Sequence, residues 1–267
     1  MTNADRVECT SRVRVGPTAS VVPMRAKPLY TAAAIIYIAV LAYVFLRWDA
    51  IPDPVPMHIG PAGEIDSWAP KTWLSVTAVT LVGLVITVGV AATLPSKSLA
   101  RIGHDQPAGG ELPFSETAAK RAEWLHETTN LMLAQVVLGA AVLLAVVQIM
   151  LIFPDAPIST WSFLILFGAF MVFTLVLAWR LHRTAKEGFT RIEPDQAERI
   201  RIERLGTKAG MGVYSAPEDP TAVAVLPAEP GKLQINTAHP AGKRALTRIA
   251  LSLVGMMIGI LVISILA

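Results

Sequence analysis

The sequence predicts an all-α integral membrane protein of about five transmembrane helices, N-terminus in and C-terminus out, with a small β-rich cytoplasmic insert. Three observations predict it. Of 267 residues, 53% are hydrophobic and only 16% charged, whereas a soluble domain carries about a quarter charged residues. The charges are gathered into blocks that leave five long apolar runs between them. The basic residues, finally, alternate from one connecting segment to the next.

A bilayer core demands roughly 20 mostly apolar residues per helix. Residues 29–46, 73–94, 131–153, 160–181 and 249–267 meet that demand, and no proline interrupts them. An unbroken helix is the default spanning structure, because each unpaired backbone group in hydrocarbon is costly. Orientation follows from the positive-inside rule. Arg6, Arg12, Arg14, Arg25 and Lys27 precede the first span, and Lys97, Arg101, Lys120 and Arg121 lie between the second and third. The segment before the last span is richer still, from Arg180 through Arg199, Arg201 and Arg204 to Arg244. The two remaining loops carry only Arg47 and Lys71, among Asp49, Asp53, Glu64, Asp66 and Asp155. Tryptophans 48, 73, 124, 161 and 179 flank the span ends, where an indole is half-buried and its N–H stays wet.

The chain therefore divides into a disordered cytoplasmic N-terminus (1–27) and a two-helix module (28–94) with an ordered outer loop (48–72). A cytoplasmic loop and amphipathic helix (95–129) leads to a helical hairpin (130–181). A cytoplasmic loop (182–244) with a β module (205–240) precedes the last helix (245–267). Met24-Arg25-Ala26-Lys27 stands before the first span much as a translation start would, so Met1 and Met24 are alternative starts. The expected localisation is the cell membrane, multi-pass, with the lipid bilayer as the partner of the apolar surface.

Several function classes fall away. A net charge of +3 is too weak a bias for nucleic acid, and Cys9 alone excludes an internal disulfide or a Cys-rich metal centre. No charge sits mid-membrane, so nothing points to a proton relay or voltage sensor. No nucleophile–base constellation is legible, so no catalytic residue, metal site or cofactor is expected and the chain is read as non-enzymatic.

The informative stretch is the outer loop. Pro52, Pro54 and Pro56 alternate and favour an extended path, and Gly60 and Gly63 around Pro61 supply a turn. Asp53, His58, Glu64, Asp66 and Lys71 are the polar groups of this loop. They admit a ligand-recognition role, a metal role for His58 with two carboxylates, and a structural role in which His58 and Asp66 hydrogen-bond backbone groups and Lys71 pairs Asp66 to pin the loop. A histidine in this position also admits proton binding or sensing.

Pro52-x-Pro54-x-Pro56-x-His58, followed by Gly63, Asp66 and Lys71, resembles the bacterial membrane family catalogued as domain of unknown function 1648. That module is also N-terminal in SdpI-type bacteriocin-immunity proteins. Ile51 stands for the usual Leu, Ile59-Gly60 for an aromatic–Asn pair and Ala69-Pro70 for Gly-Ser. The resemblance implies a membrane protein that senses or resists an extracellular toxin or peptide, leaving that peptide or another membrane protein as a partner. A weaker resemblance, to domain of unknown function 5808, rests on Tyr214, Pro217, Asp219, Pro220, Gly231, Asn236 and His239-Pro240. The short β-prone runs 213–214, 222–226 and 233–236 there read as a β-meander.

Within the spans, Gln135 and Gln148 are the amides. They serve either as interhelical glue or as the lining of a polar path, and the path makes a transporter or membrane-complex subunit the alternative function. Gly255 and Gly259 form a GxxxG step suited to close helix packing.

Overall fold

The computed structural model describes residues 26–59, 64–104, 111–153, 160–206, 208 and 210–266. The expected disorder of 1–27 thus falls almost wholly outside the described residues. Five helices are long and apolar enough to cross a membrane: α1 (Ala26–Leu46), α2 (Trp73–Thr93), α3 (Glu116–Ile152), α4 (Thr160–Arg191) and, numbered by its place in the chain, α6 (Pro240–Leu266). A sixth helix, α5 (Gln196–Leu205), is short and polar. Two small sheets complete the chain. One is a hairpin of β1 (Val55–Ile59) and β2 (Ile65–Ala69), the other a trio of β3 (Val213–Tyr214), β4 (Val223–Ala224) and β5 (Gln234–Asn236).

Helix α3 is the centre, in contact with α1, α2 and α4, while α6 packs on α2. Directions follow from the contacts. Tyr30 Oη donates to Asn130 Oδ1 and Tyr43 meets Phe153, so α1 and α3 run parallel. Gly139 faces Phe170 while Gly188 faces Trp124, so α4 returns antiparallel to α3. Gly89 faces Met256 and Gly259 faces Val85, so α6 runs against α2. The five long helices therefore alternate in direction.

Small residues let the backbones approach. A Cβ on Gly83 would lie 2.7 Å from the Tyr37 ring and 2.9 Å from Leu144, so this glycine sets the distance at which α1, α2 and α3 meet. The predicted GxxxG step splits in two. Gly259 sits against Val85, whereas nothing approaches Gly255 within 4 Å. The α2–α6 seam is completed by Ser252 Oγ, which donates to the Gly89 carbonyl at 3.2 Å.

Gln148 is buried between α3 and α2 with both ends of its amide engaged. Its Nε2 donates to the Val76 carbonyl at 2.6 Å, and its Oε1 accepts from Thr80 N at 3.0 Å and Thr80 Oγ1 at 3.2 Å. Val76 C=O and Thr80 N–H are the two groups that a regular helix pairs with each other, four residues apart. The amide thus bridges one rung of the α2 ladder. Gln135 lies half-buried on α3.

At about 1.5 Å per residue, the 37-residue α3 and 32-residue α4 are roughly 56 and 48 Å long, well beyond a hydrocarbon core of about 30 Å. Their surplus lies at the basic end of the bundle. Ser115 Oγ caps α3 by accepting from Ala118 N at 3.0 Å. The first turns of α3 run on into the span as one rod, not as a separate amphipathic helix. They are the wall on which α5 and the second sheet are built.

Two groups counted as topology charges in the sequence are buried ion-pair partners instead. Arg121 Nε donates to Glu198 Oε1 at 3.0 Å and its second nitrogen to the Ile192 carbonyl at 2.8 Å. Thr117 Oγ1 donates to Glu198 Oε2 at 2.6 Å, and Asp195, the N-cap of α5, accepts from Glu198 N at 2.7 Å. On the next turn of α5, Arg201 donates to Asp219 Oδ2 at 2.9 Å and to Thr221 Oγ1 at 2.8 Å. Tyr214 Oη donates to the same carboxylate oxygen at 2.9 Å. Burial, then the Asp219 charge, raises the Tyr214 pKa far above that of a free phenol.

The insert is not a meander. Its order is β3-β5-β4, with β3 parallel to β5 and β4 antiparallel to it. Asn236 decides this: its Nδ2 donates to the Ala216 and Thr221 carbonyls while its Oδ1 accepts from Ala216 N and Ala238 N. That side chain staples the 215–222 turn over β5 and leaves β5 in the middle. His239 Nδ1 then accepts from Ala241 N at 3.1 Å, and Pro240 opens α6, where a missing N–H costs nothing.

Two outcomes follow. Gln148→Leu should lower stability by only about 1–2 kcal/mol, because Val76 and Thr80 can close on each other once the amide is gone. Gln135→Leu should change little, and thermal unfolding in detergent compares the two. Glu198→Ala strands the buried Arg121 and should cost about 3–5 kcal/mol locally. Limited proteolysis should then cut between residues 192 and 236 while the helical circular dichroism persists.

Candidate functional site

The β1–β2 hairpin stands on the helix ends opposite the insert. Beneath it, Ile51 and Val55 are buried against Val40 and Val44 of α1, Val76 of α2, and Ile152 and Phe153 at the end of α3. Pro56 is buried as well. This apolar plug gives the hairpin an inner and an outer face, so its register is fixed by burial. Sequence reasoning expected an ordered, extended loop here and did not resolve it into paired strands.

The strands pair antiparallel, Val55 opposite Ala69, Pro56 opposite Trp68 and Ile59 opposite Ile65. The register shifts on both sides of His58, which pairs with Ser67 through the backbone. Gly63 lies outside the described residues. Pro54 is exposed, Pro52 half-buried, and the Asp53–Pro54 peptide bond is cis.

Four side chains anchor the entry into α2. Lys71 Nζ donates to the Ile51 carbonyl at 2.8 Å, and Lys71 N donates to Asp53 Oδ1 at 3.1 Å. The expected Lys71–Asp66 pairing is therefore replaced: the ammonium reaches across the loop base, and Asp66 is engaged elsewhere. Thr72 and Ser75 form a reciprocal capping box, Ser75 N donating to Thr72 Oγ1 at 3.1 Å and Thr72 N to Ser75 Oγ at 3.0 Å. Ser75 Oγ also donates to the Pro70 carbonyl at 2.7 Å. Beside this knot Trp48 stacks on Trp73 with centroids 4.1 Å apart, and Lys71 Nζ lies 5.3 Å from the Trp48 ring. Sequence reasoning placed both indoles at the headgroup level but not against each other. The Thr72-x-x-Ser75 spacing was the available sign of the cap.

On the outer face, His58 Nδ1 donates to Asp66 Oδ1 at 2.5 Å. Both side chains are open to solvent, 63% and 49% exposed, and Glu64, Ser67 and Trp68 on the same hairpin are exposed as well. With Nδ1–H held by the carboxylate, the neutral ring presents the Nε2 lone pair as an acceptor. The pair offers an acceptor and a negative charge, and the hairpin adds the exposed indole of Trp68, a set suited to binding a cationic or amphipathic group. Among the described residues, no three His, Cys, Asp or Glu side chains converge as metal ligands would. No hydroxyl or thiol nucleophile touches His58 in its described contacts.

A family model described as Domain of unknown function (DUF1648) matches residues 35–84. Those residues run from the interior of α1 through the hairpin to the middle of α2. Over this stretch the chain is similar to DUF1648 proteins. No curated protein and no solved structure matches it. The matched stretch contains His58, Asp66, Lys71 and Gly83, so it spans both the outer pair and the close helix crossing.

Burial separates the roles within the module. Ile51→Ala removes a buried wedge and should cost about 2–5 kcal/mol. His58→Ala and Asp66→Asn touch an exposed pair and should each change stability by less than about 1 kcal/mol. Yield and thermal unfolding in detergent check both; loss of the two outer-face variants from the membrane would show that the pair orders the hairpin.

Proposed function

We propose that the protein is a non-enzymatic bacterial inner-membrane protein whose outward hairpin meets an extracellular toxin or peptide. The carrying observation is the His58–Asp66 pair: two polar groups joined to each other at 2.5 Å yet left in solvent, on a hairpin whose other face is wedged into the bundle. A hairpin needed only as a plug would be served by Ile51, Val55 and Pro56. The outer set is extra, and its chemistry suits a peptide with basic and apolar groups. The likeness of the loop motif to that of bacteriocin-immunity proteins supports the same reading.

The orientation in this proposal puts the hairpin outside, the N-terminus in and the C-terminus out. It is supported by the basic residues of the opposite end and by the alternation of the five long helices. Gln148 acts in it as a bundle contact, since its amide is spent on Val76 and Thr80.

Cells expressing the protein should survive a membrane-active peptide toxin better than cells lacking it. His58→Ala or Asp66→Ala should abolish that protection at unchanged membrane abundance. Full protection by both variants sinks the hairpin reading. A C-terminal alkaline phosphatase fusion should be active, and an inactive one reverses the orientation.

A further inference from the structure

A cavity of about 220 Å³ opens at the basic end of the bundle, between the segment that follows α2 and the first turns of α6. One wall is Leu94, Pro95, Leu99 and Ile102, and the other is Ala241, Ala245 and Ile249 of α6. Its charged lining residues are Arg244 and Arg248, four residues apart and so on one face of α6. Neither forms an ion pair with a carboxylate among the described residues, whereas Lys97, Arg101, Arg121, Arg183, Arg191, Arg201, Arg204, Lys208 and Lys232 all do.

The level of the cavity is fixed by the chain. Helix α2 ends at Thr93, and the uncharged run of α6 starts after Arg248. The two arginines therefore stand where both spans leave the hydrocarbon, at the depth of lipid phosphates, and the apolar wall continues from them toward the bilayer core.

We propose that this cavity is a binding site for an anionic phospholipid, with the lipid phosphate between Arg244 and Arg248 and an acyl chain laid along Ile249 and Leu99. A guanidinium matches phosphate geometry with paired N–H donors, and basic pockets between transmembrane helices are suited to anionic headgroups. The charge selects the head and the apolar wall selects a tail. A free phosphate could use only the first of these. The site is independent of the outer hairpin and of which side that hairpin faces.

Native mass spectrometry of the full-length protein in mild detergent, titrated with phosphatidylglycerol and separately with phosphatidylcholine, tests it. One phosphatidylglycerol per chain should be retained in preference to phosphatidylcholine. R244Q/R248Q should weaken that binding about ten-fold, and R244K/R248K should restore part of it. A245W, which fills the cavity without changing its charge, should cause the same loss and serves if the double variant fails to fold. Equal retention of the two lipids by the native protein overturns the proposal. So does unchanged phosphatidylglycerol binding in R244Q/R248Q or A245W. Competition by inorganic phosphate at the lipid's own concentration would make it a phosphate site and also overturns it.

Discussion

Hydrocarbon offers no water to a polar group, and the close meeting of α1, α2 and α3 satisfies that constraint with its own residues. Gly83 lets the Tyr37 ring lie directly on the α2 backbone. Two turns nearer the hairpin, Gln148 of α3 takes up the Val76 carbonyl and the Thr80 N–H. All three helices meet by close approach at Gly83, and hydrogen bonds at Gln148 tie α2 to α3 farther along the seam. Helices α4 and α6 each lean on one member of this trio and leave most of their surface to lipid. The trio sets the frame, and the flanking helices inherit it.

What stands on the frame differs at its two ends. The hairpin end is closed by apolar contact: Ile51 and Val55 enter the gap between helix ends, and the Thr72–Ser75 cap satisfies the first turn of α2. Among the described residues no buried ion pair is used there, and His58 and Asp66 remain in solvent. The basic end is closed by buried ion pairs that reach from α3 through α5 to the second sheet. Such pairs contribute little net stability once their desolvation is counted, yet they tolerate few alternative geometries. They dictate where the insert lies on α3. They do not decide whether the bundle forms.

The five spans were legible because length and hydropathy are local properties of the chain. The short strands of the insert were legible for the same reason, since residues 213–214, 222–226 and 233–236 alternate with proline-rich turns. Their order was not, because it rests on Asn236 gathering groups 15 and 20 residues away. Helix α5 was hidden inside a charge run, although Asp195 followed by Glu198 is an N-terminal capping signal. Arg121 and Arg201 were read as surface charges because nothing local tells a buried arginine from an exposed one. Partners 77 and 18 residues distant make the difference. In the loop, the residue set His58, Asp66 and Lys71 was found, but its pairing was misdrawn. Side-chain partners depend on the two-strand geometry, which three prolines had disguised as an extended path.

Lys71 shows why that redrawing bears on function. Had it paired with Asp66, the outer face would carry a neutralised carboxylate pinned to the loop base, and His58 would stand alone. Because Lys71 instead turns inward to the Ile51 carbonyl, over Trp48, the base is secured without drawing on the outer face. Asp66 is left to His58, and the pair joins the two strands in solvent. An exposed pair of this kind can exchange partners at little cost in desolvation. That is the physical condition for a surface that recognises something outside the protein.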